Sequence, residues 1–393
     1  TDLAENVTII VNGNTIESVQ QGFIDPGDGD TLIDLSEKTV LPGLIDLHVH
    51  LEGETNPNRY LQEFTLNPED RAFHSVLYAK RTLEAGFTTV RELGGSGVNT
   101  ALRDAINGGF VVGPRMISVG KSIATTGGHA DPTNSYRHDL MGKPGPAEGV
   151  INGVAEAREA VRQRYKNGAD HIKITATGGV LSVAKSGQNP QFKMDELRAI
   201  VETAADYDMH VAAHAHGTEG MLRAVEAGVK TIEHGTYMSE EVMDAMIERG
   251  TYYVPTISAG DFVARMAEVE GYYPDLVRPK AREIGPLIKD TFAEAYAYGV
   301  PIAFGTDAGV FPHGQNGGEF RLMVEAGMPA DEAILSSVKT AAEVLGMEDQ
   351  IGSIEAGKLA DIIAVNENPL ESIETLENVV FVMKDGDVVK HTD

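Results

Sequence analysis

The chain has 393 residues and a formal net charge of -27 at pH 7. This length exceeds the usual size of one hydrophobic core, so we expect a large domain and a smaller module. The negative charge should repel phosphate backbones and anionic membrane surfaces, which argues against nucleic acids and membranes as partners. Because the chain contains no cysteine, disulfides and thiolate metal sites are excluded. Any metal ion must be bound by nitrogen and oxygen atoms.

Hydropathy gives no sign of a membrane span or a signal peptide. No apolar run approaches the ~20 residues that cross a bilayer, and the first residues are too polar for a signal peptide. We therefore expect a cytoplasmic protein. The chain begins at Thr1 and not at a methionine, so an exported form whose leader has been removed is the alternative.

Both ends of the chain are predicted to be rich in β-strands. Near the amino terminus, Val7–Val11 and Thr15–Val19 flank an Asn-Gly turn that is typical of a hairpin, and Thr31–Leu35 has the pattern of a further strand. Two strands are also predicted near the carboxyl terminus, at Asp361–Val365 and Val379–Lys384. These strands predict a small β-sandwich module assembled from residues 1–41 and 354–393.

The middle of the chain, residues 42–353, alternates between apolar strands and amphipathic helices. The predicted strands are Gly43–His50, Thr88–Leu93, Arg115–Val119, His171–Thr177, His210–His216, Thr231–His234, Tyr252–Ile257 and Pro301–Gly305. Several of the intervening helices end at a glycine suited to a left-handed cap, such as Gly228 and Gly299. This series of strand–helix units favours an α/β fold with a closed (β/α)8 TIM-type barrel. A doubly wound sheet, which usually has about five or six strands, is the alternative.

Polar residues fall at the carboxyl ends of these strands, where barrel enzymes place their chemistry. They are His48, His50, Arg91, Glu92, Lys173, His214, His216, His234 and Asp307. Side chains two positions apart in a strand share one face, so His48 and His50 point the same way, as do His214 and His216. Several imidazoles, a carboxylate and a lysine at one end of a barrel, without any thiol, predict a site for zinc or a similar divalent ion.

Lys173 and Asp307 each have a structural alternative to a role in this site. Lys173 could extend to solvent, although it lies between two isoleucines in a strand that should be buried. Asp307 could simply cap a turn. The ammonium group of Lys173 would also repel a metal ion, so Lys173 must be chemically altered, neutral or directed away from the site.

Several motifs give the chain a resemblance to a known family. In chain order they are LIDLHVH, HIKITATGG, HVAAHAHG, TIEHGT and AFGTDAG. With its β-rich ends, the chain resembles the amidohydrolase superfamily, and within it the prolidase-like group of Xaa-Pro dipeptidases and metal-dependent carboxypeptidases. The resemblance covers nearly the whole chain. It implies that the side-chain nitrogen of Lys173 is carboxylated by carbon dioxide or bicarbonate. The positive charge that would repel a metal ion would then be replaced by a negative one.

The resemblance also implies the ligands of two divalent metal ions, with zinc as the expected metal. They are His48 and His50 for one ion, His214 and His234 for the other, carboxylated Lys173 as the bridge and Asp307 on the first ion. The choice of His214 over His216 as a ligand rests on motif position alone. A water molecule shared by two such ions loses a proton near neutral pH and supplies a metal-bridged hydroxide as nucleophile.

Three residues are candidates for direct action on the substrate. Asp307 would take a proton from the attacking nucleophile and pass it to the leaving nitrogen. His129, in the loop TTGGHAD, and His216 would bind the substrate and stabilise the developing oxyanion. For His129 the alternative is a loop histidine in solvent.

The related enzymes cleave the last residue from dipeptides or short peptides that have a free carboxylate. We therefore expect hydrolysis of the carboxyl-terminal peptide or amide bond of dipeptides or short N-acylated amino acids. Arg91 or Tyr237 could bind the substrate carboxylate, because arginine forms forked, charge-assisted pairs with carboxylates; Arg91 could instead pair with Glu92 or another acidic neighbour. The segment Asp261–Lys280 is predicted to be a lid or a pocket wall, with an exposed insertion as the alternative.

Two other functions fit the same sequence. A lactonase or phosphotriesterase would use the same pair of metal ions on an ester or a phosphorus centre. A metal-free binding or scaffold protein would have lost catalysis, but every expected ligand position is occupied by a suitable residue, which argues against it. Barrels of this family often associate, so a homo-oligomer is compatible with the sequence.

Overall fold

The structure is a computed structural model that describes residues 4–392. Its strands are β1 (Val7–Asn12), β2 (Thr15–Gln21), β3 (Thr39–Pro42), β4 (Leu44–Val49), β5 (Phe87–Glu92), β6 (Arg115–Ser118), β7 (Ala124–Thr125), β8 (Val150–Ile151), β9 (Ile172–Thr175), β10 (Val211–Ala215), β11 (Thr231–His234), β12 (Tyr252–Val254), β13 (Ile362–Val365), β14 (Phe381–Lys384) and β15 (Asp387–His391). Its helices are α1 (Arg59–Thr65), α2 (Pro68–Glu84), α3 (Val98–Asn107), α4 (His138–Met141), α5 (Val154–Lys166), α6 (Met194–Ala205), α7 (Thr218–Ala227), α8 (Glu240–Arg249), α9 (Ile257–Ala267), α10 (Arg278–Tyr298), α11 (Gly318–Glu325), α12 (Ala330–Ser337) and α13 (Lys339–Leu345). In this range every helix is too short or too polar to cross a bilayer.

Parallel strands form the centre of the molecule. One sheet has the order β4-β5-β6 and another has the order β12-β11-β10-β9. Isolated parallel bridges extend these sheets, joining Val49 to Ala308, Ile123 to Ile174 and Tyr253 to Ile302. The structure thus confirms an α/β fold with parallel strands, although the assigned strands lie in separate sheets and not in one continuous closed sheet.

The parallel strands are apolar because both of their faces are covered. Every residue of β4 and of β10 is buried. The covering helices bury one side each: in α6, Leu197, Ile200 and Ala204 recur at helical spacing against the core. Gly228 and Gly299, which follow α7 and α10, have φ angles of 100° and 96°. Glycine adopts this left-handed conformation without steric cost, and so ends these helices as predicted.

Strands from both ends of the chain form the antiparallel sheets. β1 and β2 pair as the predicted hairpin, and β3 pairs with β13 in a sheet of order β15-β14-β13-β3. Ile16 of the hairpin packs with Ile362 and Phe381 of this sheet. Alternate residues Ile363 and Val382 belong to the main core. The terminal sheet therefore packs against the hairpin on one face and against the main core on the other.

Two predicted strands are wrong or incomplete. Thr31–Leu35 forms no strand. Its residues Ile33 and Leu35 pack against the hydrophobic cluster that contains Ile16, Ile362 and Phe381. Pro301–Gly305 contributes only the bridge at Ile302. Its backbone groups instead bond to several different segments, through Tyr253, Leu47 and Ser336.

The segment Asp261–Lys280 is not a separate insertion, because it begins within α9 and ends within α10. Helices α11, α12 and α13 were not predicted at all. α12 and α13 pack beside β4, and the Ser337 hydroxyl donates to the Ile45 carbonyl at 2.9 Å. These helices therefore support the first parallel strand from outside the series of strand–helix units.

A buried ion pair joins the terminal sheet to the parallel strands. Arg115 of β6 donates to Asp361 at 2.5 Å and also to Asp385. We predict that Arg115→Ala lowers the free energy of unfolding by about 3 kcal/mol, because it leaves a buried carboxylate unpaired. Urea denaturation measures this change. The control Arg321→Ala removes an exposed ion pair with Glu325 and should cost less than about 1 kcal/mol; equal losses would contradict the account.

Candidate metal centre and active site

One cavity of about 990 Å³ opens at the carboxyl ends of the parallel strands. The sequence-predicted residues that line it are His48, His50, His129, Lys173, His214, His216, His234 and Asp307. They meet there because the carboxyl ends of parallel strands share one edge of the sheet. We term His48, His50, Lys173, His214, His234 and Asp307 the ligand cluster.

The side chains of the ligand cluster lie close together. Asp307 Oδ1 is 3.6 Å from His48 Nε2 and 3.4 Å from His50 Nε2. Lys173 Nζ is 3.5 Å from His48 Nε2, and the ring centroids of His48 and His234 are 5.0 Å apart. His48, His234 and Asp307 each offer one ligand atom, and these atoms lie within 4.8 Å of one another. Residues far apart in sequence thus share a single centre.

Each histidine of the ligand cluster has one ring nitrogen bonded to a group outside it. The contacts are His48 Nδ1 with Glu233 at 2.8 Å, His50 Nδ1 with the Gly94 carbonyl at 2.8 Å, His214 Nε2 with the Gly178 carbonyl at 3.0 Å and His234 Nδ1 with the Thr256 hydroxyl at 2.7 Å. Carbonyls and carboxylates only accept, so the bonded nitrogens of His48, His50 and His214 carry the hydrogen. The other nitrogen keeps its lone pair for a metal ion.

Three residues at this site have a left-handed backbone that is uncommon outside glycine. The φ angles are 72° for His234, 56° for Thr256 and 61° for Asp307. Such a conformation costs about 1–3 kcal/mol and persists only where the surroundings enforce it. The N–H of Asp307 donates to the His48 carbonyl at 2.7 Å, which holds this residue beside the first strand. Three of the seven non-glycine residues with positive φ in the described chain therefore lie where the polar side chains converge.

Burial determines the charge of the histidines. Loss of solvent lowers the pKa of His50 to about 3, and it lowers the pKa of His48, His214 and His234 well below the usual value for histidine. These imidazoles are therefore neutral near pH 7. The neutral ring is the form that binds a metal ion.

Lys173 and Asp307 complete a donor set that suits a divalent ion. Asp307 Oδ1 is buried and has no hydrogen-bond partner within residues 4–392, a costly state unless a cation approaches it. Burial raises the pKa of Asp307 and lowers the pKa of Lys173, so the site disfavours both of these charges. Imidazole nitrogens and carboxylate oxygens are ordinary zinc ligands. The residues present therefore fit a divalent metal ion.

His129 and His216 lie beside the ligand cluster on the cavity wall. The ring of His129 stacks on His214 with 4.3 Å between centroids, and its main-chain N–H donates to Gln191 at 2.8 Å. His129 Nδ1 is buried without a partner in the described part of the chain. His216 Nδ1 contacts the Thr236 hydroxyl at 2.8 Å. Both rings thus have a nitrogen for a molecule that enters the cavity.

Arg91 and Tyr237, which were predicted as possible contacts for the substrate carboxylate, are not among the residues that line the cavity. Arg91 is 2% exposed and donates to the Leu47 carbonyl at 2.8 Å and to Glu233 at 2.9 Å. The Tyr237 hydroxyl donates to Glu283 at 2.5 Å. Both residues use their donors on protein groups, and the acidic neighbour of Arg91 is Glu233 and not Glu92.

Glu233 is a site residue that the sequence did not predict. It is fully buried, and its carboxylate accepts hydrogen bonds from His48 and Arg91 and also contacts the Thr231 hydroxyl. The available signal is a glutamate inside the apolar strand TIEH, since a buried carboxylate requires partners. Two of these partners, His48 and Arg91, lie in strands that precede Glu233 by more than a hundred residues. The local sequence pattern therefore does not identify them.

Comparisons with known proteins match most of the chain. A sequence model described as the amidohydrolase family matches residues 39–389. The crystal structure of a Xaa-Pro dipeptidase with bound methionine in the active site is 56% identical, with a TM-score of 0.95 over 97% of this chain and 94% of that one. A prolidase complexed with N-methylphosphonate-L-proline is 33% identical, with a TM-score of 0.90 over 98% and 94%. Ochratoxinase from Aspergillus niger is 34% identical over 373 residues, 89% of this chain and 75% of that protein.

We predict that Glu233→Gln weakens zinc binding by roughly 10–100-fold, because an amide no longer fixes the tautomer and orientation of His48. Competition with a chromogenic chelator measures this affinity. Glu319→Gln is the control, since Glu319 is equally buried but accepts the main-chain N–H groups of Ile257 and Ser258. The same weakening in both variants would show a general loss of structure and contradict the prediction.

Proposed function

Because the chain belongs to the amidohydrolase family, we propose that it is a metal-dependent hydrolase that cleaves the carboxyl-terminal peptide or amide bond of dipeptides or short N-acylated amino acids. The observation that carries this proposal is the convergence of the ligand cluster in one cavity with neutral imidazoles. The similarity to a Xaa-Pro dipeptidase and to a prolidase supports the choice of bond.

The ligand cluster would hold two divalent ions, with zinc as the proposed metal. One ion would be held by His48, His50 and Asp307, and the other by His214 and His234, with Lys173 between them. When bound, such ions supply Lewis acidity and lower the pKa of a water molecule to near neutral. The short distances from Asp307 Oδ1 to both rings of the first pair support this division.

We propose that Lys173 is carboxylated. Its Nζ lies 3.5 Å from His48 Nε2, where an ammonium group would compete with a metal ion for the imidazole lone pair. In carboxylation, the neutral amine attacks the carbon of carbon dioxide, a C–N bond forms, and the nitrogen releases one proton to solvent. The product is a carbamate with one negative charge. This anion would attract two cations in the position where the ammonium group repels them.

Asp307, His129 and His216 would act on the substrate. Asp307 Oδ1 faces His48 and His50 and has no other partner in the described chain, so it can accept a proton and return it to the leaving nitrogen. His129 and His216 border the space above the ligand cluster. A hydrogen bond from either ring would stabilise negative charge that develops on the scissile carbonyl oxygen.

The walls of the cavity favour an apolar residue next to the scissile bond. The apolar lining includes Val180, Leu181, Val263, Ile284, Ile288 and Val310. Val263 and Pro274, within the segment predicted as a lid or pocket wall, contribute to it. The methionine and the proline analogue in the similar crystal structures are also apolar residues. We therefore propose proline or an uncharged apolar residue at the carboxyl-terminal position.

The architecture that would present this site is a (β/α)8 barrel over residues 42–353, with a β module from residues 1–41 and 354–393. The bridges at Ile302 and Ala308 support closure, because they place one segment between the edge strands β12 and β4, and the bridge at Ile123 extends the sheet beyond β9. A cytoplasmic location, a homo-oligomeric state and the absence of nucleic-acid partners stay predictions.

A screen of dipeptides with varied carboxyl-terminal residues on zinc-loaded protein tests the proposed function. We expect release of the carboxyl-terminal amino acid, fastest where that residue is proline or apolar, measured by chromatography of the products. Turnover of lactones or aryl phosphates with no turnover of any dipeptide would instead support the lactonase or phosphotriesterase.

Substitutions at Lys173 and Asp307 separate metal binding from proton transfer. Lys173→Ala should lose bound metal and activity together, because the bridge between the ions is removed. Asp307→Asn should lower kcat by roughly 10²–10⁴-fold while metal stays at the bridging and second-site ligands. Elemental analysis measures the bound metal of each variant, and steady-state kinetics measures its kcat. An active Lys173→Ala enzyme in bicarbonate-free, metal-depleted buffer would contradict the scheme.

Gly179 provides the space in which the His129 ring lies. A Cβ at Gly179 would be 2.2 Å from His129 Cε1, so we predict that Gly179→Ala displaces this ring and lowers kcat by about a hundredfold with metal content unchanged. Gly187→Ala is the control, because its Cβ would meet nothing nearer than 3.6 Å. Full activity of Gly179→Ala would show that His129 is not required.

A further inference from the structure

We propose that Arg59 binds the free carboxylate of the substrate's carboxyl-terminal residue, so that the cavity selects substrates in which this carboxylate is not capped. The inference rests on the proposed function, because it concerns which molecules the same site accepts. It assigns to Arg59 the role for which the sequence suggested Arg91 or Tyr237, neither of which lines the cavity.

Arg59 is the first residue of α1, is partly buried and lines the cavity. The next residue, Tyr60, donates its hydroxyl to the Leu181 carbonyl at 2.9 Å, which fixes this end of α1 against an apolar part of the cavity wall. Arg71, a second arginine of the wall, pairs with Glu63 at 3.1 Å. The guanidinium of Arg59 has no such partner among the described residues.

The carboxylates of the cavity wall outside the ligand cluster are bound to other groups. Four of them accept hydrogen bonds from main-chain N–H groups: Glu52 from Ser96 and Asn99, Glu54 from His313, Asp131 from Gly127 and Thr133, and Glu148 from Gly145. The fifth, Glu63, forms an ion pair with Arg71. A guanidinium that is partly withdrawn from water is stabilised by an anion. None of these carboxylates forms an ion pair with Arg59 in the described chain, so its charge is available to an anionic ligand.

Arg59 lines the same cavity as the ligand cluster and His129. Its guanidinium therefore lies at the wall of the space that a substrate would enter. In a dipeptide the free carboxylate is one residue away from the scissile carbonyl, so its receptor must lie in the same cavity and near the ligand cluster.

Arginine suits this ligand because its planar fork can donate two parallel hydrogen bonds to one carboxylate. A carboxyl-terminal amide has no negative charge and offers only one acceptor oxygen to that fork. The apolar wall near Leu181 would contact the side chain of the same residue. Arg59 and this wall together would therefore recognise an apolar amino acid by its side chain and by its free carboxylate.

The test compares Met-Pro with its carboxyl-terminal amide on zinc-loaded protein. In the wild type we expect kcat/KM to be about 100-fold higher for the acid than for the amide. Arg59→Gln should remove this ratio by slowing the acid alone, and Arg59→Lys should restore part of it. Arg71→Gln, which changes an arginine of the same cavity that is already paired, should leave the ratio unchanged.

Calorimetric binding of L-methionine to the zinc-loaded protein gives a second result that does not require turnover. We expect at least about tenfold weaker binding by Arg59→Gln than by the wild type. Lys121 is a second basic residue of the cavity wall. If Met-Pro is hydrolysed and the acid-to-amide ratio survives in Arg59→Gln, or is lost in Lys121→Gln instead, this inference is overturned and the proposed function stands. Arg59-dependent binding of L-methionine without hydrolysis of any dipeptide would uphold the inference and overturn the proposed function. If the protein neither hydrolyses any dipeptide nor binds L-methionine, both the inference and the proposed function are overturned.

Discussion

The burial of most of the ligand cluster is the constraint on which the rest of the structure depends. Burial keeps the imidazoles neutral and leaves a carboxylate oxygen of Asp307 unpartnered in the described chain. Both states cost stability in the absence of a cation. The neutral rings also suit a metal ion, because they need not lose a proton before binding. Other parts of the molecule therefore serve to hold this arrangement in place.

Support for the cluster comes from outside it. Arg91 and Glu233 form a buried pair behind His48, and such a pair offsets its desolvation only with good geometry and further hydrogen bonds. Glu233 meets this condition by also bonding His48 and Thr231. The left-handed backbone at His234 and Asp307 is held in the same way, by contacts with neighbouring strands. The fold thus stabilises a local arrangement that an isolated loop could not maintain.

Some of this organisation is visible in the sequence and some is not. The paired histidines of LIDLHVH and HVAAHAHG could be predicted to share a site, because strand alternation determines which side chains lie on one face. Their family resemblance is confirmed by the match over residues 39–389. The ion pair between Arg91 and Glu233 could not be specified from the sequence, because the two residues are 142 positions apart. Arg59 carries no recognisable sequence pattern, since it is the first residue of a short helix and its guanidinium has no ion-pair partner among the described residues. Local periodicity therefore identifies the donors at the strand ends, whereas pairing across the fold decides which charges remain free.

The central claim is that one ligand cluster holds two divalent ions with a carboxylated lysine between them. Anomalous diffraction at the zinc edge from crystals of zinc-loaded protein, grown with bicarbonate, tests it most directly. The account predicts two peaks in the cavity, one beside His48, His50 and Asp307 and one beside His214 and His234, with extended density on Lys173. An empty cluster, or zinc only at surface residues, would contradict it.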